Sequence, residues 1–430
     1  MWGDDRMTNQ RDTVLEEEYE HVSVPLDKRK SLLSVSLVWI GFPMIITGAV
    51  TGAAIVAGLG FIKGILAILI GNLLLFAYVG GLSVLSSKKG YNFGLQASIT
   101  FGRKGSIIVS GLLSTLVIGW FAVHVGLTGT SMNQAFGSNL LVMSLLGGIL
   151  YLLVTLIGVK ALTYIGAISA PLFFILGLWA VGDAVSNAGW STIVSYSGNG
   201  SIAFGIAITM VIALFADSGT MTGDFNRWSK NSRESLLATA SAFPFANAIA
   251  MSFGGLITAS ALGNPDFFHY IAAKGGVLSI VAVILLFLNI GSVSAHCLYN
   301  GAVGWANILG KKMRTMTVIL GIIGIIVGIF GIYNFFITWL GILGVIVPPI
   351  GAVIIIDQFI VRKNADITEN LRIKAFIAWG IGSLIAMLVE FYAPYFSTAV
   401  SGIIVAGLAY WALSLSDQKV NQPQLNPLQR

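Results

Sequence analysis

Asp217-Ser218-Gly219-Thr220-Met221-Thr222-Gly223-Asp224 interrupts a run that is otherwise apolar from residue 201 to residue 225. A run of that length suits a membrane-spanning helix, which needs about 20 apolar residues. Glycine weakens a helix, and hydroxyl side chains can bond the backbone groups that a break sets free. The octet therefore predicts a spanning helix that is discontinuous inside the bilayer. Residues 34–58 carry a similar signature, Gly41-Phe42-Pro43 followed by Thr47-Gly48 and Thr51-Gly52. Small residues also serve close helix packing in membranes, an alternative for both runs. Spacing favours discontinuity, because the two runs lie five helices apart, where an inverted five-plus-five repeat puts its broken helices.

Outward from these runs the character persists. Of 430 residues, 56% are hydrophobic and 10% charged, against about 25% charged in a soluble domain. Mean hydropathy is +0.86, so the solvent for most of this surface is lipid. Further spans are read near 62–86, 105–130, 139–158, 161–182, 235–262, 276–304, 315–331, 333–358, 373–392 and 396–415, about twelve in all. With the N-terminus inside, Lys28, Arg29, Lys30, Lys88, Lys89, Arg103, Lys104, Arg227, Lys230, Lys311, Lys312 and Arg362 fall at inner ends, whereas the outer loops hold only Lys63 and Lys274. Basic residues collect in cytoplasmic loops, so this partition predicts an inner (plasma) membrane protein with both termini cytoplasmic. The expected layout is a polar tail over 1–30, repeat one over 34–182, repeat two over 201–358, two extra helices over 373–415 and a second tail over 416–430.

The net charge of +6 is then a property of loops rather than a sign of nucleic acid. Cys297 is the only cysteine, which excludes an intramolecular disulfide, and His21, His124, His269 and His296 show no metal-ligand spacing. Phosphate-loop, nucleophile-elbow and zinc-protease motifs are absent from the sequence, so no enzyme and no bound cofactor are expected.

Depth follows from the span limits. The middle of 105–130 lies near Trp120, with His124 one turn away on the same face. Phe215, Asp217 and Ser218 sit near the middle of the sixth span; Asn289, Ser292, Ser294 and His296 near that of the eighth; Ile46 at that of the first. Packing explains a lone buried tryptophan or phenylalanine, and a hydrogen bond between helices explains a neutral histidine. Asp217 is harder to explain so, since a carboxylate at mid-membrane costs about 3 kcal/mol without a partner or a proton. Together these residues suit a flat polar solute. Trp120 and Phe215 would sandwich a ring, and His124, Asp217, Ser218, Ser294 and His296 would read its edge.

Several strings carry a resemblance over most of the chain. They are Ile70-Gly71-Asn72-Leu73-Leu74-Leu75, Phe101-Gly102-Arg103-Lys104-Gly105-Ser106, Gly119-Trp120-Phe121, Gly219 to Phe225, Leu288-Asn289-Ile290 and Pro348-Pro349-Ile350-Gly351. In this order and spacing the chain resembles the nucleobase–cation symporter-1 family, in its cytosine/purine permease branch. The resemblance implies an all-α membrane protein with the leucine-transporter-type 5+5 inverted repeat, two further C-terminal helices and alternating access. It puts ring stacking on Trp120 and Phe215. It puts a Na⁺ site on carbonyls near Gly41 and Met44, on Asn289, and on side chains at 292 and 293. Ser292 keeps the hydroxyl of that pattern, but Val293 stands where the family has threonine. The branch also has small hydroxyl or amide residues where this chain has Asp217, Ser294 and His296.

The sequence thus leads to a secondary transporter importing a nucleobase or related nitrogen heterocycle, coupled to Na⁺ or H⁺. A carrier of a cationic heterocycle, amine or amino acid on the same fold is the alternative. Asp217 either meets a substrate N–H or carries a coupling proton.

Overall fold

Lipid offers no hydrogen bonds, so a chain crossing it satisfies its backbone within helices. The computed structural model describes residue 19 and residues 22–263, 267–363, 365–367 and 369–420, without the side chains of 159–163, 307 and 416–420. Most of the tail expected over 1–30 and the last part of the one expected over 416–430 lie outside the described residues.

Every expected span holds helix. They are α1 (Leu32–Gly41) with α2 (Ile46–Leu59), α3 (Phe61–Lys89), then, after a short α4 (Phe93–Phe101), α5 (Arg103–Phe136), α6 (Leu140–Ile157) and α7 (Val159–Ala188). The second half adds a short α8 (Trp190–Ser195), the pieces α9 (Phe204–Ala213), α10 (Ala216–Thr220) and α11 (Gly223–Asn226), then α12 (Ser232–Ala240) leading to α13 (Asn247–Ser260). A short α14 (Phe267–Ala272) precedes α15 (Gly276–Leu309), α16 (Met313–Ile329), α17 (Phe336–Ile346), α18 (Pro348–Ile356), α19 (Ile373–Tyr392) and α20 (Thr398–Val420). Among the described residues nine helices or near-continuous runs are long and apolar enough to cross a membrane, ten with the bent pair α1–α2; α9 and α16 are apolar but shorter.

The expected breaks are present. Helices α1 and α2 bend by 57° about the link 42–45, where Pro43 has no N–H to offer a continuing helix. The sixth span stops at Ala213, restarts at Ala216 and stops again at Thr220. Two further interruptions were not expected. The seventh span widens into a π-helical turn at Ser241–Ala246 around Pro244, and the tenth divides at Val347 before Pro348.

Helices α2 and α13 meet backbone to backbone. A Cβ on Gly52 would overlap the Met251 carbonyl, and one on Gly254 the Ala49 carbonyl; small residues allow this approach. Turns between neighbours are equally tight. Only Gly60 separates α2 from α3 and only Gly158 separates α6 from α7, both with positive φ (82° and 100°) that glycine adopts without strain.

At the basic end, Asp357 is fully buried. It accepts from Thr100 Oγ1 (2.8 Å), Arg362 Nη2 (2.7 Å), Arg372 Nη1 (3.4 Å) and Tyr410 OH (2.6 Å). One carboxylate therefore ties α4, the end of the tenth span, the start of α19 and α20 together.

Candidate functional site

The breaks free backbone groups, and side chains from other spans settle them. Asn289 on α15 donates from Nδ2 to the Met44 carbonyl (3.1 Å) and accepts at Oδ1 from the Ile46 N–H (2.8 Å), holding both sides of the first break. Thr51 Oγ1 donates to the Thr47 carbonyl at 2.8 Å. In the sixth span Thr220 Oγ1 donates to the Ala216 carbonyl (2.6 Å) and meets Tyr78 OH of α3 at 2.5 Å. The Ser218 N–H donates to Asp217 Oδ1 at 2.7 Å.

Between the two breaks lies a cavity of about 510 Å³, including its mouth. Phe42, Ile45 and Thr47 line it from the first span, Val117, Trp120 and His124 from α5, Leu214 to Phe225 from the sixth span, and Val293, Cys297 and Asn300 from α15. On the sixth span and α15 these residues run from mid-helix toward the end carrying Arg227 and Lys311.

The cavity brings together Trp120, His124, Phe215, Asp217 and Ser218. Trp120 meets Phe336 and Trp339 edge-on, both at 6.2 Å between centroids, and His124 at 5.8 Å. Phe215 packs on Phe42 (5.7 Å) and Phe243 (5.2 Å). Buried polar atoms in the walls await a partner: Thr47 Oγ1 and His124 Nδ1 have no hydrogen bond within the protein, and Asp217 Oδ2 is approached only by the Trp120 indole N–H. Neutral groups left this way cost about 1–3 kcal/mol each, so the walls are prepared for a polar occupant.

Ser294 and His296 are not part of this wall. The cavity face of α15 runs through Val293, Cys297 and Asn300, spaced by four and three, and the two polar residues point to either side of it. Ser294 is fully buried elsewhere, and His296 Nδ1 donates to the Ser292 carbonyl one turn back (2.7 Å). Phe42, Thr47, Met221, Asp224, Phe225, Cys297 and Asn300 line the cavity without having been singled out as binding residues. Asn300 could have been found by continuing the stripe from Val293.

Of the groups proposed for Na⁺, Met44 O and Asn289 are bonded to each other and Val293 presents hydrocarbon; at Ser292 the backbone carbonyl, not the hydroxyl, accepts from His296. Gly41 ends α1. Among the described residues no group of three or more His, Cys, Asp or Glu forms a metal cluster.

Two interrupted spans enclosing a polar cavity in an all-helical apolar bundle define a multi-pass membrane transporter. The chain belongs to the family of permeases for cytosine/purines, uracil, thiamine and allantoin, whose profile it matches over residues 23–391. The cytosine permease of Escherichia coli (strain K12) is 32% identical over 344 residues, 80% of this chain and 81% of the relative; that of strain O157:H7 matches over the same length. In solved structures the fold recurs in the inward-facing form of Mhp1 (TM-score 0.77, 16% identity, 93% of each chain). It recurs also in Mhp1, a nucleobase-cation-symport-1 family transporter, closed with bromovinylhydantoin bound (TM-score 0.72, 16% identity, 93% of this chain and 96% of that one). The fold is thus of the leucine-transporter type, and the chain is a transporter, not an enzyme.

Proposed function

We propose that this chain imports a nucleobase or closely related nitrogen heterocycle by alternating access, coupled to Na⁺ or H⁺. The observation that carries this reading is one cavity between two broken spans, walled by Trp120 and Phe215 and holding the buried Asp217 carboxyl. A flat ring lies against the indole while its polar edge meets Asp217, Ser218, Thr47 and His124. The names of the curated relatives point to cytosine-like solutes. Asp217 also favours a second reading, an amine or cationic heterocycle whose N–H donates to the carboxylate.

The repeats read as 34–182 and 201–358, with the further helices over 373–415. The protein sits in the plasma membrane with both termini cytoplasmic, which reporter fusions at each end would check. The function is tested in proteoliposomes by counterflow of labelled cytosine, adenine, uracil, thiamine and allantoin, with amines and amino acids as a second panel. Exchange of at least one ring compound supports the first reading. Exchange confined to the second panel replaces it with the alternative.

A further inference from the structure

At the end of the bundle far from the basic face, the short helix α14 turns Phe267, Phe268, Ile271 and Ala272 into the interior. Phe267 packs on Phe173 of α7 with ring centroids 4.9 Å apart, and Phe268 meets Phe136 of α5 edge-on at 6.3 Å. The helix touches α2, α13, α5 and α15. The cavity lies between the broken spans, one of which contains α2, and the pair α5 and α15. None of its lining residues comes from α14 or from α5 beyond His124. A route from the cavity to the far face therefore has to part elements that α14 holds together.

Apolar packing seats α14 from below, and three polar groups seat it from above. Lys274, in the link between α14 and α15, donates from Nζ to Asp183 Oδ2 near the end of α7. Tyr270 OH, on α14 itself, donates to the same oxygen at 2.6 Å. The Lys274 ammonium also lies over the Tyr270 ring, 4.7 Å from its centroid. One carboxylate oxygen thus gathers both the helix and the link that follows it.

Exposure decides what such a cluster can do. A contact that opens in every transport cycle must leave groups that water can take over, because a buried charge stripped of its partner is penalised heavily. The Lys274 and Asp183 side chains are 30% and 28% exposed. Asp357, held by two arginines, has no exposure and is suited to holding rather than release. A part-exposed pair is weak, worth about a two- to fivefold shift in an equilibrium. That is enough to bias two near-balanced conformations without locking either.

We propose that Asp183, Tyr270 and Lys274 form an ionic catch that holds α14 shut over the far mouth of the pathway, and that release of Lys274 from Asp183 lets the carrier open to that face. This rests on the alternating-access reading above and adds the device that closes one side.

The chain supplies its own reporter. Cys297 is its single cysteine and lines the cavity. The full chain in right-side-out and inverted membrane vesicles is treated with a membrane-impermeant methanethiosulfonate, and labelling of Cys297 is followed by mass spectrometry. Asp183→Asn and Lys274→Gln should each speed labelling from the far face about two- to fivefold, the worth of a part-exposed pair, without speeding it from the basic face. The exchange of charges, Asp183→Lys with Lys274→Asp, should bring the rate back toward that of the wild type. In the wild type, about 1 M KCl should mimic the single variants, since the screening length then falls to about 3 Å; the variants should not respond. Far-face labelling unchanged by either substitution and by salt would overturn the catch, as would equal acceleration from both faces or a charge exchange as fast as the single variants. Labelling needs no solute. Ring-compound counterflow with unchanged labelling would therefore sink the catch and leave the transporter reading standing, whereas altered labelling without counterflow would count against the solute class alone.

Discussion

Asn289 does structural work at the residue scale, at a position where the family resemblance implies ion binding. Its amide spans the first break with two hydrogen bonds, one to each side. Asn289→Ala removes both and leaves Met44 O and the Ile46 N–H buried without partners. The expected loss is about 2–4 kcal/mol, read as a lower melting temperature in detergent, whereas an unchanged melting curve would mean that the clasp is not needed. Trp120 contributes in a different way. It is buried, held edge-on by Phe336 and Trp339, and its face is what a flat ring can use. Trp120→Ala should weaken binding of the transported ring compound by about 1–3 kcal/mol, the range for base–aromatic stacking, as measured by titration calorimetry. Which residues line the cavity was legible wherever depth alone decided, as at Trp120 and Asp217. It was not legible at Ser294 and His296, because the phase of a straight helix sets which of several neighbouring polar residues faces inward, and the phase of α15 is fixed by its packing on α5.

At the scale of elements the sequence was most informative where the backbone must break. Gly41-Phe42-Pro43 and the octet from Asp217 announce interruptions that the structure places at 42–45 and 221–222, with a further break at 214–215 just ahead of the octet. The division of the tenth span at Pro348 was hidden inside a run whose side chains are all apolar, and the turn around Pro244 was equally silent. Lipid-facing hydrophobicity reports that a segment spans, not that it bends, so proline alone had to carry both signals. The contact of α2 with α13 shows how narrow the tolerances are. Gly52 and Gly254 each face a backbone carbonyl of the other helix, with no room for a Cβ. Gly52→Val or Gly254→Val must push the broken first span off the seventh. Overpacking of this kind costs about 3 kcal/mol. Because α2 carries one wall of the cavity, counterflow should fall together with stability, a pairing that size-exclusion profiles and exchange assays on the same preparation would reveal.

For the whole molecule, α4 and the tenth span are joined to the two last helices through a single buried anion. Asp357 closes the tenth span and is held at once by α4, by Arg362, by Arg372 at the entry to α19 and by Tyr410 of α20. Two arginines lean on one carboxylate that has no exposed surface. Breaking such a set by deleting one member leaves uncompensated charge, about 3–5 kcal/mol, whereas deleting an isolated neutral hydrogen bond costs about 1 kcal/mol. Asp357→Ala should therefore destabilise the protein far more than Tyr410→Phe, and it should do so by undocking the C-terminal pair first. Limited proteolysis of Asp357→Ala in detergent is expected to cut the 362–373 connection well before the inner helices are attacked, with Tyr410→Phe cut at close to the wild-type rate. Equal sensitivity of the two variants would show that α19 and α20 are held by their apolar packing alone, and that the buried carboxylate serves only the end of the tenth span.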